Sequence, residues 1–177
     1  MCATDKTRAI NAVDLLNDFV GDFITGTMSL ARFHAEYNSG SITAEQLAGI
    51  NKMCLSHLIL ALTKWVEFYD KFRDLIPSEL KDTAKTIKKT IESRKVIEFR
   101  HKCVGHIWDN DINRPLVNSE IMNRLETITN SDIKGFLRWL NNPNATEYPK
   151  SVAGVCESIR DRIASKYEVT PSGVLQR

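Results

Sequence analysis

The chain has 177 residues, of which 42% are hydrophobic and 26% are charged. This balance is typical of a folded protein of one domain and excludes an intrinsically disordered chain. Lys and Arg number 24 against 22 Asp and Glu, so the net charge is only +2. A near-neutral total excludes a histone-like protein that coats nucleic acid through its overall charge.

The N-terminal segment and the cysteines indicate a cytoplasmic protein. Acidic residues interrupt the first twenty residues, so they do not resemble a secretory signal. The longest uncharged apolar stretch, 53–63, is far shorter than the ~20 residues that a membrane span needs. The four cysteines lie about fifty residues apart without a CxxC pair, which predicts neither zinc fingers nor disulfides. We expect small buried thiols and no membrane association.

Helical periodicity predicts two long helices in the first half of the chain. Apolar residues recur at three- and four-residue steps through 13–24, before turn residues at 38–41 end the first helix. Thr43 and Gln46 form a predicted capping box that starts a second helix reaching about Phe72. Its apolar stripe is wide, so we expect it to be the most buried helix. Trp65 and Phe68 near its end are expected to pack in the core, with base stacking by these residues or Tyr69 as the alternative.

The rest of the chain predicts four further helices. Ser78 is expected to cap a third helix with Ala84, Ile87 and Ile91 on its inner face, running to about Val104 and ending at Gly105.

The segment 109–115 is expected to be a loop, after which Asn118 caps a fourth helix. Turn residues at 130–132 start a fifth helix, and a final helix covers about 151–168 before a polar tail, 169–177. No strand alternation is visible. The sequence therefore predicts an all-α bundle of five or six helices in a single domain, 1–177.

Positive charge is concentrated in the segment 85–102, which has seven basic and two acidic residues. Two interpretations remain open: a solvated helix face, or a patch that attracts a phosphate backbone. On the second interpretation the contacts to RNA would come from five lysines: Lys85, Lys88, Lys89, Lys95 and Lys102.

Two residue spacings resemble known motifs but do not predict a functional site. The glycines of 21–27 have the spacing of a phosphate-binding loop, but the Lys and the preceding strand are missing, so packing within the first helix is expected. Glu98 and His101 match half of a di-iron motif that the chain does not repeat. We predict no metal site and no cofactor.

The end of the basic segment is different, because Arg100, His101, Lys102 and His106 crowd into seven residues. Histidine moves protons near neutral pH, and the arginine fork fits phosphate oxygens. Together they supply what metal-free RNA cleavage by the ribose 2′-OH requires. On a straight helix Arg100 and His106 would be ~9 Å apart along the axis and rotated by ~240°. Either Gly105 redirects His106, or a twofold dimer completes the site, which is the arrangement we favour.

These residues resemble the signature of the HEPN superfamily (higher eukaryotes and prokaryotes nucleotide-binding), which is Arg, four to six residues, then His, late in a long helix. Arg100 and His106 fit with five intervening residues, and His101 stands where the family often has Asn, Asp or His. The segment Phe-Arg-His-Lys-Cys-Val-Gly-His is similar to abortive-infection members, and the match covers about 85–108.

The resemblance implies a HEPN-like helical bundle and a homodimeric, metal-independent endoribonuclease, often a toxin or anti-phage effector. Arg100 would contact phosphate, His106 would do acid/base work and His101 would be auxiliary. Some such toxins are paired with a nucleotidyltransferase antitoxin. The alternative is a catalytically inactive HEPN-like module for dimerisation, nucleotide binding or adaptor function.

Overall fold

The computed structural model describes residues 3–104, 108–109 and 113–171. These ranges are almost entirely helical, which confirms the all-α prediction. The helices are α1 (Ala3–Asn38), α2 (Ala44–Phe72), α3 (Lys81–Ser93), α4 (Val96–Phe99), α5 (Asn118–Thr129), α6 (Ile133–Leu140) and α7 (Val152–Tyr167). Two-residue strands, β1 (Trp108–Asp109) and β2 (Arg114–Pro115), pair antiparallel.

Helix α1 forms the centre of the bundle, because it packs along both α2 and α7. An aromatic cluster joins α1 to α2: the Phe19 ring lies edge-on to Trp65 at 6.3 Å and to Phe68 at 6.0 Å. Trp65 and Phe68 are buried, so the expected core packing is confirmed and base stacking by them is excluded. A Cβ at Gly26 would lie 2.7 Å from Leu58 Cδ2, so this glycine allows α1 and α2 to approach closely.

Three predicted helix starts are confirmed by their caps. Thr43 and Gln46 exchange the two hydrogen bonds of a capping box at α2. Asp132 Oδ1 accepts from the Gly135 N–H at α6 over 2.8 Å. Ser151 Oγ accepts from the Gly154 N–H at α7 over 3.2 Å. These three helices therefore begin where the sequence predicts.

The prediction of one continuous helix from Ser78 to Val104 is wrong. Ser78 begins a short 3₁₀ turn (Ser78–Leu80), and α3 starts only at Lys81. Helix α3 then ends at Ser93, and Lys95 takes a left-handed conformation with φ of 55° before α4 starts.

The cause of this break is a change of phase in the apolar stripe. Ala84, Ile87 and Ile91 are buried, and an unbroken helix would bring Arg94, Lys95 and Glu98 onto that face. The next buried side chains are instead Val96 and Phe99. The left-handed residue rotates the chain so that both stripes reach the core, and it raises the helix count to seven within the described ranges.

Two boundaries near 109–118 also differ from the predictions. The expected loop includes part of a β-hairpin, in which Trp108 pairs with Pro115 and Asp109 with Arg114. Helix α5 includes Asn118 as its first residue, and the Val117 N–H donates to Glu120 Oε2 over 2.9 Å. A bidentate ion pair with Arg114, together with that N–H, lowers the pKa of Glu120 to about 2.

Within the described ranges, none of the helices combines the length and hydrophobicity of a transmembrane segment. Cys156 is buried, and burial raises the pKa of its thiol. Cys54 and Cys103 are half-buried and form no disulfide among the described residues, and Cys2 lies outside the described residues.

Candidate functional site

Arg100 and His101 lie next to each other on a π-helical turn that covers Arg100–Val104. The Arg100 Nη1 atom is 3.4 Å from His101 Nδ1, and the His101 ring is exposed. Because a guanidinium only donates, a hydrogen bond across this contact is accepted by Nδ1. The pair therefore places a guanidinium and an imidazole ring side by side.

The π-helical turn is held by the short helix before it. Val96 and Phe99 of α4 are buried, and both α4 and the turn contact α2. Turns of this wider kind are rare and occur frequently at functional sites. Gly105 and His106 lie outside the described residues, so the convergence of His106 with Arg100 stays a prediction.

The five predicted RNA-binding lysines fall into two groups. Lys85, Lys89 and Lys95 are exposed, whereas Lys88 and Lys102 are half-buried. Lys88 Nζ contacts Asp70 Oδ1 and lies 3.6 Å from Glu92 Oε1, and the hydrogen bond that Lys88 donates to Asp70 raises the pKa of Lys88. Its ammonium also lies 5.5 Å from the Tyr69 ring. Much of its charge is therefore used within the fold.

The exposed lysines do not share one cleft. Lys85 lines a cleft where α2 leads into α3, together with Arg73 and Asp74. Lys95 lines a second cleft, between α4 and α5, with Glu98 and Arg124. The basic segment therefore presents separate basic sites near the two ends of α3.

Arg94 has a structural role that its place in the basic segment does not reveal. Its guanidinium lies 5.0 Å from the Trp139 ring and 5.7 Å from the Phe136 ring. Its Nη1 donates to the Ile128 carbonyl over 2.9 Å. Burial lowers the pKa of Arg94. This side chain ties the end of α3 to α5 and α6.

Replacing Arg94 with Ala is expected to lower the free energy of unfolding by about 1–3 kcal/mol, because a cation–π contact and a hydrogen bond are lost. Urea denaturation measures this loss. A variant as stable as the parent would contradict this structural role of Arg94.

Arg124 on α5 is a basic residue that the sequence analysis missed. Its Nη1 lies 3.9 Å from Glu98 Oε1, and Lys102 Nζ lies 3.5 Å from the same oxygen. One signal was available, since Arg124 falls on the same helix face as the apolar residues Ile121, Leu125 and Ile128. A charged residue within such a stripe indicates a partner on a neighbouring element.

A cleft of 690 Å³ lies between the end of α3 and α5. Hydroxyl and amide side chains line most of it. The hydroxyls of Thr90 and Thr127 donate to carbonyls of their own helices, at Thr86 and Asn123. In the part of the chain that the structure describes, no group of three His, Cys, Asp or Glu side chains is arranged to hold a metal ion.

Comparison with known proteins supports the fold. No model of a protein family matches the chain, and no curated protein matches it either. Among solved structures, the chain is similar to the integron cassette protein Vpc_cass2 from the mobile metagenome of V. paracholerae, with a TM-score of 0.75 and 19% sequence identity. The match covers 89% of this chain and 96% of that one. At this level of identity the likeness shows a shared helical fold.

Proposed function

We propose that this chain is a metal-independent endoribonuclease of the HEPN type, which acts in the cytoplasm as a homodimer. The observation that carries the proposal is the contact between the half-buried Arg100 and the exposed His101 on a π-helical turn. His106 follows six positions after Arg100, and the exposed lysines Lys85, Lys89 and Lys95 precede the turn along the chain.

The reaction uses three groups of this segment. One His106 accepts the proton of a ribose 2′-OH, and the oxygen attacks the adjacent phosphorus to form a 2′,3′-cyclic phosphate. The bond to the 5′-oxygen breaks, and that oxygen takes a proton from the His106 of the second protomer. Arg100 balances the charge that gathers on the phosphoryl oxygens. His101 donates its Nε2–H to one of them as an auxiliary contact.

Such an enzyme would serve as a toxin or an anti-phage effector, held in check by an antitoxin such as a nucleotidyltransferase. The second candidate is a catalytically inactive HEPN-like module for dimerisation, nucleotide binding or adaptor function. The engagement of Lys88 and Arg94 inside the fold favours this candidate, since it reduces the charge available to RNA.

A cleavage assay in EDTA separates the two. The purified protein should cut single-stranded RNA and leave 2′,3′-cyclic phosphate ends, and light scattering should give the mass of a dimer. A dimer that leaves the RNA intact would support the inactive module. A monomer without activity would contradict both the homodimeric nuclease and a module for dimerisation.

A further inference from the structure

A second basic region lies at the start of α3, at the end of that helix away from the π-helical turn. A cleft of 410 Å³ opens there between α2 and α3, and its charged lining is Arg73, Asp74, Lys81, Asp82 and Lys85. An adjoining cleft of 440 Å³ shares Asp74 and Lys81 and continues to the end of α7. We call the two adjoining clefts together the α3 groove.

The cations of the 410 Å³ cleft are available to a ligand. Arg73, Lys81 and Lys85 are exposed, and within the described residues none of the three forms an ion pair or donates a side-chain hydrogen bond. Lys88, on the next turn of α3, differs from them because its ammonium contacts Asp70. The three exposed side chains therefore keep their charge and their donors free for a partner outside the described part of the chain.

The carboxylates of the same cleft offset only part of this charge. Both oxygens of Asp74 accept from the Arg8 guanidinium over 2.9 Å, and this pair, with a smaller contribution from Lys81, lowers the pKa of Asp74. The other acid that lines the cleft is the exposed Asp82. Counting Arg8, four cations therefore lie around two carboxylates, and the local potential is positive.

The positive charge continues into the 440 Å³ cleft. Arg162 and Lys166 of α7 line it with one further acid, Glu79, whose Oε1 lies 3.9 Å from Arg162 Nε. Lys166 Nζ lies 5.0 Å from the Tyr167 ring, a contact that leaves its charge unneutralised. Lys81 lines both clefts and so joins the two groups of cations. Cations that follow a groove match the successive phosphates of a single strand.

We infer that the α3 groove binds the phosphate backbone of the RNA strand at a distance from the bond that is cleaved. Arg73, Lys81 and Lys85 are its contacts, and Asp82 is a counter-charge that limits the affinity. The 13 residues of α3 separate the groove from the π-helical turn by a rise of at least ~18 Å. The inference rests on the proposed function, because it assigns a further part of the RNA path to the same chain.

Binding of a single-stranded 2′-O-methyl oligoribonucleotide of about 12 nucleotides tests this inference without cleavage, because the probe lacks the attacking hydroxyl. Fluorescence anisotropy across a range of salt concentrations gives both the affinity and the salt slope. Lys81→Gln and Lys85→Gln should each weaken binding about fivefold near 0.1 M salt and reduce the slope by about 0.7. Asp82→Asn should tighten binding about threefold, which a merely structural role for Asp82 would not produce.

Lys52→Gln is the matched control, because it changes the net charge of the protein by the same amount. Lys52 is exposed on α2, and it lies about 30 Å from Arg73 along the axis of that helix. This variant should bind the probe with the affinity and the salt slope of the parent. A loss for Lys52→Gln equal to those for Lys81→Gln and Lys85→Gln would indicate attraction by net charge alone and would overturn the groove.

The outcomes separate this inference from the proposed function. Weaker binding by Lys81→Gln and Lys85→Gln, together with tighter binding by Asp82→Asn, supports the groove whether or not the protein cleaves RNA. All three side chains are exposed, so the variants should fold, and urea denaturation checks this. Binding at the parent's affinity by all three variants would overturn the groove and leave the nuclease proposal intact. A parent protein that neither binds the probe nor cleaves RNA would overturn both.

Discussion

Replacing His106 with Ala should lower the rate of RNA cleavage in EDTA by at least about 100-fold, the usual contribution of a positioned acid or base. Arg100→Ala should cost a similar factor, because the guanidinium balances charge that develops only in the transition state. Arg100→Lys keeps the charge without the bidentate fork, so an intermediate rate is expected. Rates are measured at saturating RNA, so that weaker binding does not imitate slower chemistry.

In the same cleavage assay, a variant of His101 distinguishes an auxiliary residue from the acid or base. If His101 is an auxiliary hydrogen-bond donor beside Arg100 rather than the acid or base, His101→Asn should keep the rate within about tenfold of the parent. The control is His34→Ala, since His34 is exposed on α1 and should be silent. A His106→Ala protein that cleaves as fast as the parent would exclude this histidine from catalysis and refute the proposed mechanism.

Trp65→Ala is expected to be among the most destabilising substitutions in the chain, with a loss of about 3–5 kcal/mol in the free energy of unfolding. The ring is fully buried, and it contacts Phe19 edge-on and stacks on Phe68 at 5.5 Å. Removing it leaves a cavity between α1 and α2 that neighbouring aromatic rings fill poorly. Chemical denaturation at one temperature measures the loss.

Comparing the stabilities of Trp65→Phe and Trp65→Ala separates the contribution of ring volume from that of the indole N–H. The indole Nε1 is buried without a hydrogen-bond partner among the described residues, so the parent carries an uncompensated desolvation cost of about 1–3 kcal/mol. Because Trp65→Phe removes that N–H and keeps an aromatic ring, it should lower the free energy of unfolding by much less than Trp65→Ala. Tyr37→Ala, at a side chain 42% exposed on α1, should change stability by less than about 0.5 kcal/mol. Equal losses for Phe and Ala at position 65 would contradict this account.

Local patterns in the sequence predicted the features of the fold that depend on neighbours within one turn of helix. The caps at Thr43, Asp132 and Ser151 are examples, because donor and acceptor lie three residues apart. The burial of Trp65 followed from its place in a wide apolar stripe. The sequence also indicates the helix break at Lys95, because the spacing of the apolar residues changes between Ile91 and Val96. The lysines around this point make that change hard to recognise.

The contacts of each basic side chain could not be predicted from the sequence, since they depend on partners that are distant along the chain. Lys88 is engaged by Asp70, eighteen residues earlier, and Arg94 by Ile128, thirty-four residues later. Net charge per segment takes no account of such pairings. The same limit applies to Arg124, which joins the candidate site only because α5 packs against α4.

The position of α1 between α2 and α7 has a consequence for how the protein is made. Arg160 on α7 donates to Asn17 Oδ1 across 143 residues of sequence. At ~5–20 residues per second, a ribosome needs roughly 7–30 s to add that length. During this interval α1 can pack against α2, but the apolar face of α1 that later contacts α7 stays exposed. The nascent hairpin is therefore the stage at which a chaperone, or a second nascent chain, has its best opportunity to bind.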